Sequence, residues 1–115
     1  MAVSDYTAGK VLTTLPIGAG VDGAGFDPAS GNAFATGADG TLTVILEDTP
    51  DTYHVVETVK TMTGSRNMGL DPTSHRLFIT GAKFGPAPAA PTSTNPRRRP
   101  PMIPGSFVVM VVERR

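Results

Sequence analysis

Cysteine is absent from the 115 residues, and so is tryptophan. The first absence excludes disulfides, thiolate metal sites and cysteine nucleophiles, and leaves the redox compartment open. Aromatic residues make up only 6% of the chain and charged residues 17%. So low a charge excludes a chain kept open by its own repulsion, and the apolar residues, at 39%, recur in short runs that can be buried. Long hydrophobic runs are missing: none reaches the roughly 18 residues of a membrane-spanning helix. Met1 to Lys10 lack a basic n-region and an apolar h-region, so no signal peptide is legible there. Uninterrupted stretches are scarce as well. Thirteen Gly and eleven Pro punctuate the chain, few stretches run ten residues without a turn former, and helices have little room.

Net charge is zero, yet the charge is segregated. Residues 1–57 hold one basic and eight acidic residues, giving −7, and residues 58–115 hold nine basic and two acidic residues, giving +7. One Arg-rich loop and chance account for this in the plainer reading. The sharper one is head-to-tail association of copies.

An internal repeat organises the rest. At a shift of 44 residues, Val11 falls on Val55, Thr14 on Thr58, Gly20 on Gly64 and Gly25 on Gly69. Asp27-Pro28 falls on Asp71-Pro72, Ser30 on Ser74, Phe34 on Phe78, and Thr36-Gly37-Ala38 on Thr80-Gly81-Ala82. Those are eleven identities over 28 ungapped positions, the signature of a repeat architecture.

One repeat reads as four strands. Val21 to Phe26 is small and apolar and stops at Asp27-Pro28, because Pro28 has no N–H to donate and fixes its own φ. Ala33 to Thr36 is a second strand. Asp39-Gly40 closes a hairpin in which Gly supplies positive φ. Thr41 to Leu46 is rich in β-branched residues and makes a third strand. Glu47 to Thr52 reads as a polar loop, and Tyr53 to Thr61 as the fourth strand. A four-stranded antiparallel meander cannot bury both faces alone. Such units stacked around an axis form a β-propeller, whose repeats run about 40–50 residues. The fold expected is therefore all-β: propeller blades in a partial ring of two. Small residues on the first strand (Gly23, Ala24, Gly25, Gly69) suit a channel-lining place where neighbouring backbones approach closely.

The chain parses as one partial propeller domain over 1–115. Residues 9–17 match the outer strand of a preceding blade, 20–61 form a complete blade, and 64–112 form a last blade interrupted by an insertion at 84–104. The last blade takes its third strand from Ser106 to Val112, for eight strands in all.

These segments resemble the YVTN-type seven-bladed β-propeller repeat family, the group that includes YncE-like proteins. The likeness lies in AGKVLTTLPIG at 8–18, GAGFDPASGNAFAT at 23–36, DGTLTVI at 39–45 and MGLDPTSHRLFIT at 68–80. It implies about seven blades where this chain carries two, an exported parent protein of periplasmic or extracellular location, and no shared catalytic motif. The chain then reads as a C-terminal portion, completed by the remaining blades or by further copies of itself.

Candidate sites follow from the same parse. The insertion holds seven Pro and the run Arg97-Arg98-Arg99. Pro at this density favours extended polyproline geometry. The loop is either a docking element that offers cations to an acidic protein, a nucleic-acid backbone or a membrane headgroup, or a solvated excursion whose prolines limit its entropy. Three arginines without interleaved aromatics make nucleic acid a poor fit. Asp22, Arg66 and Asn67 precede or open the channel-lining strands and are candidate channel-mouth residues; the alternative for Arg66 is an ion pair between blades. Asp27, Pro28, Asp39, Gly40, Asp71 and Pro72 read as structural turn residues. His54 and His75 show no metal-ligand spacing and read as exposed polar residues. No G-x-S-x-G, HExxH, P-loop or dinucleotide fingerprint occurs, so no catalytic residue, metal or cofactor is assigned. The function expected is a non-catalytic scaffold or binding module. The alternative is a share of a propeller enzyme, either a lactonase-like hydrolase or a quinoprotein dehydrogenase-like subunit.

Overall fold

The structure, a computed structural model, describes residues 1–114. It holds nine strands and, among the described residues, no helix. They are β1 (Ala2–Asp5), β2 (Lys10–Thr14), β3 (Val21–Asp27), β4 (Asn32–Gly37), β5 (Thr41–Thr49), β6 (Thr52–Lys60), β7 (Met68–Asp71), β8 (Arg76–Gly81) and β9 (Val108–Val112). They form three antiparallel sheets in chain order: β1-β2, β3-β4-β5-β6 and β7-β8-β9. The all-β expectation and the four-stranded meander over 20–61 are therefore what the chain adopts.

The count is nine strands rather than eight. The addition is β1, a four-residue strand whose Ser and Asp gave no apolar alternation to read. It is held by pairing with β2, extended by mutual backbone bonds of 2.8 and 2.6 Å between Met1 and Leu15. The expected polar loop at Glu47–Thr52 is also corrected. β5 continues to Thr49 and β6 begins at Thr52, leaving only Pro50 and Asp51 to turn, with Asp51 at φ 71°. Polar residues extend the hairpin here because its outer end faces water, where the ladder needs no apolar side chains. β9 starts at Val108, not Ser106, since Ser106 is spent on a turn: its hydroxyl donates to the Ile103 carbonyl at 2.6 Å.

Pairing registers repeat with the sequence. Phe34 stands opposite Val44 in one sheet, and Phe78 opposite Val111 in the other. A bulge recurs too. β5 and β6 slip between Val44 and Ile45, so that Val56 has no partner, and β1 and β2 slip between Val3 and Ser4, so that Leu12 has none. Leu12 and Val56 are 44 residues apart. The same extra residue in both hairpins makes β1-β2 the structural counterpart of β5-β6.

The core lies between the two larger sheets. Phe34 and Leu42 from one face meet Leu77 and Ile79 from the other, with Val44, Val59, Met68, Leu70, Met110 and Val112 packed around them. Period-2 alternation explains the partition: on β8, Leu77 and Ile79 are buried while Phe78 points away and is exposed. The opposite face of the four-stranded sheet is closed as well, with Ala35, Thr43 and Ile45 buried. Gly18 N–H reaches Thr43 Oγ1 there at 3.3 Å.

Candidate functional site

Three places concentrate polar chemistry: the line where β3 meets β7, the paired Asp-Pro turns, and the Pro/Arg loop.

β3 and β7 belong to different sheets and approach side by side. A Cβ on Gly23 would lie 2.6 Å from both the Arg66 carbonyl oxygen and Thr36 Oγ1, and one on Gly25 would lie 2.8 Å from the Met68 methyl. Only glycine lets the backbones come this near. The Thr36 hydroxyl, fully buried, donates a hydrogen bond across the gap to the Arg66 carbonyl. Gly69 holds the same repeat place as Gly25, and a Cβ there would meet nothing within 4 Å. The side chains of Asp22, Arg66 and Asn67 are exposed and make no hydrogen bond or ion pair with one another among the described residues. What the fold brings together at this point is backbone: the Arg66 carbonyl on Thr36, and the Asn67 carbonyl accepting from Thr80 N–H at 3.2 Å.

The two Asp-Pro turns match atom for atom. Asp27 Oδ1 accepts from Ala29 N–H at 3.2 Å and Asp27 Oδ2 from the Ser30 hydroxyl at 2.6 Å. Asp71 does the same with Thr73 at 2.9 Å and Ser74 at 2.6 Å. These bonds hold both carboxyls below the usual carboxylate range, the serine hydroxyl contributing most in each case. Their surroundings differ. Asp27 is buried and also meets Nδ1 of His75 at 2.8 Å, whereas Asp71 is partly open. The expectation that His75 is a plain exposed residue is corrected to that extent: its ring is half exposed, but it reaches across the sheets to a buried carboxylate. Repeat spacing carried a signal for it. His75 occupies the place of Gly31, and both have positive φ, 58° and 69°. His54, the other histidine, pairs with Asp48 on the surface.

Asp39 works on the connection between sheets. Its Oδ2 accepts from Ala19 N–H at 2.7 Å and its Oδ1 from the Thr41 hydroxyl at 2.7 Å. Gly40, at φ 87°, closes the turn by donating to the Gly37 carbonyl at 3.0 Å. The D-G-T hairpin thus clamps the segment that leads into β3.

Beyond the Asp27–His75 contact, the sheets part into an open cleft of about 1000 Å³. Its floor is apolar (Leu42, Val44, Val59, Leu77, Val112), and Glu113 and Arg114, just past the end of β9, stand at its side; β9 has a second edge. Among the described residues no strand pairs with that edge.

The Pro/Arg loop leaves from β8 and returns to β9 over a built neck. Phe84 and Met102 form an isolated bridge, Gly85 N–H donates to the Pro101 carbonyl at 2.9 Å, and Ile103 N–H to the Lys83 carbonyl at 2.9 Å. At the tip, Asn95 accepts from Arg99 N–H at 2.8 Å and donates to the Arg99 carbonyl at 2.9 Å. Arg98, at φ 53°, turns its Nε back to the Pro88 carbonyl at 2.7 Å. Arg97 and Arg99 stay exposed. None of the ion pairs among the described residues involves the three arginines. The loop does not approach Asp22, Arg66 or Asn67 through any hydrogen bond among the described residues, so the candidate residues fall into two separate groups.

Comparison with family models, with curated proteins and with solved structures finds no match.

Proposed function

We propose that this chain is a portion of a YVTN-type β-propeller and works as a non-catalytic scaffold that presents the Pro/Arg loop to an acidic protein surface. The observation that carries the reading is the neck of the loop. A bridge and two backbone bonds join the two ends of the insertion to each other between β8 and β9, and its proline content limits the entropy lost on docking. Arg97 and Arg99 then offer charge from a fixed platform, while Arg98 spends its Nε on the Pro88 carbonyl of the same loop. The stacking of two sheets 44 residues apart, through glycines that admit close backbone approach, supports the propeller part of the reading. In the full-length parent such a scaffold would act outside the cytoplasm.

Binding to poly-glutamate, a stand-in for an acidic protein surface, tests the proposal. The wild-type chain should bind with an affinity that falls as salt rises. Replacing Arg97 and Arg99 with Ala should abolish binding while far-UV circular dichroism stays unchanged. Retained binding by that variant would overturn the role given to the loop.

A further inference from the structure

Strand three occurs three times in this chain, and the pairing registers align the copies. Val44 stands opposite Phe34, and Val111 opposite Phe78, its repeat partner. Val44 also stands opposite Glu57, and Val3 opposite Thr13, again its repeat partner. Hence Val3, Val44 and Val111 hold one structural place. Around them, Ala2-Val3-Ser4-Asp5, Thr43-Val44-Ile45-Leu46 and Met110-Val111-Val112-Glu113 are equivalent segments. The first two each have a following strand on their outer edge, β2 and β6; β9 has none among the described residues.

The faces align in the same way. Phe34, Leu42 and Val44 are covered by the β7-β8-β9 sheet. Their equivalents Phe78, Val109 and Val111 lie on the outer face of that sheet and are 39%, 52% and 55% exposed. The face that such a surface accepts is the one equivalent to Leu77 and Ile79. In the four-stranded sheet that is the face of Ala33 and Ala35, which also carries Thr43 and Ile45.

We propose that this edge and this face take a second copy of the chain, joined head to tail, with β9 of one copy replacing β1 of the next and pairing with its β2. The proposal rests on the stacked-repeat reading given above. One exchange satisfies both open surfaces. The second copy's β2 joins β9 as a fourth strand, and its four-stranded sheet turns the face of Ala33 and Ala35 onto Phe78, Val109 and Val111. Two features select a copy of this chain over another occupant. In the current register Asp5 stands opposite Lys10, and Glu113 is the equivalent of Asp5, so the exchange sets Glu113 opposite Lys10 and keeps an opposite-charge cross-strand pair. β9 also brings Met, Val and Val where β1 has Ala, Val and Ser, a better strand former. The contact is heterologous, so it grows until it closes. With two blades' worth of strands per copy and rings of roughly 4–8 blades, closure takes about two to four copies.

Native mass spectrometry of the full chain reads the outcome. Wild type should appear as a closed oligomer of about two to four copies. Val111→Lys should be a folded monomer, since that side chain is already exposed within one copy. Charge exchange supplies a second variant pair. Glu113→Lys should weaken assembly by up to about fivefold, because it meets Lys10 only after the exchange, whereas Lys10→Glu faces a carboxylate in both states; mixing the two variants should restore assembly. A synthetic peptide of residues 8–18 provides the remaining arm. Oligomers insensitive to Val111→Lys, or charge variants that do not rescue each other, overturn the exchange. A monomer that binds the peptide overturns self-assembly and leaves the missing fourth strand, and with it the stacked-repeat reading, in place. A monomer that ignores the peptide overturns both.

Discussion

Nδ1 of His75 stands 2.8 Å from Oδ2 of Asp27, although 48 residues separate them. The contact ties the Asp-Pro turn of one repeat to that of the next. It depends on a backbone conformation: His75 holds the left-handed place that Gly31 holds in the first repeat, one that histidine enters more readily than most side chains do.

Substitution at His75 separates the contact from the conformation. His75→Gly loses the contact but suits the positive φ; His75→Ala loses the contact and keeps the strain. The Ala variant should be the less stable by about 1 kcal/mol, measured by urea unfolding. In an Asp27→Asn background the effect of His75→Gly should shrink, because the contact is already weakened, and a double-mutant cycle would report that coupling. Equal stability of the Gly and Ala variants would remove the argument from φ.

Acid should loosen the turns in a defined pH range. The folded carboxyls of Asp27, Asp39 and Asp71 lie below their ordinary value of 3.8, chiefly through the hydroxyls of Ser30, Thr41 and Ser74. A group whose folded pKa is depressed contributes stability above its unfolded value and loses it as pH falls through the folded one. Urea midpoints should therefore hold at mildly acidic pH and fall below about pH 4. Asp27→Asn should be less stable at neutral pH and show a shallower acid loss than wild type. An unchanged acid slope would mean that the turn bonds do not couple to folding.

Gly23 and Gly69 lie on equivalent strands in opposite surroundings. Gly23→Ala places a methyl 2.6 Å from a carbonyl oxygen and a buried hydroxyl oxygen, a clash that should cost about 1–3 kcal/mol. Gly69→Ala meets nothing within 4 Å and should stabilise the strand by up to about 1 kcal/mol. Thermal unfolding of the two variants gives the comparison, and a tolerated Gly23→Ala would place the sheets farther apart than described.

Most of the strands were legible because their signals are local. Pro28 and Pro72 end strands for want of an N–H, Gly40 marks a hairpin, and the run Thr41–Leu46 is dense in the branched side chains that suit a pleated surface. β1 was not legible, since four residues with Ser and Asp carry no period and are ordered only by β2. The candidate site was read less well. The Pro/Arg loop stood out by composition, but the bond from Arg98 reaches the Pro88 carbonyl, ten residues away, which no local pattern announces. Arg66 is a candidate by its place just before the first strand of the second repeat, yet the contact the fold makes there uses its carbonyl.

By itself the sequence determined the 44-residue period, the all-β class and the place of the Asp-Pro and Asp-Gly turns, because chain geometry and missing donors act over a few residues. Only the tertiary structure decided which of two equivalent residues is buried. Phe34 and Phe78 share a repeat position, a strand and an alternation, yet one lies in the core and the other faces out. Burial depends on what stands across the gap, and no local pattern records that.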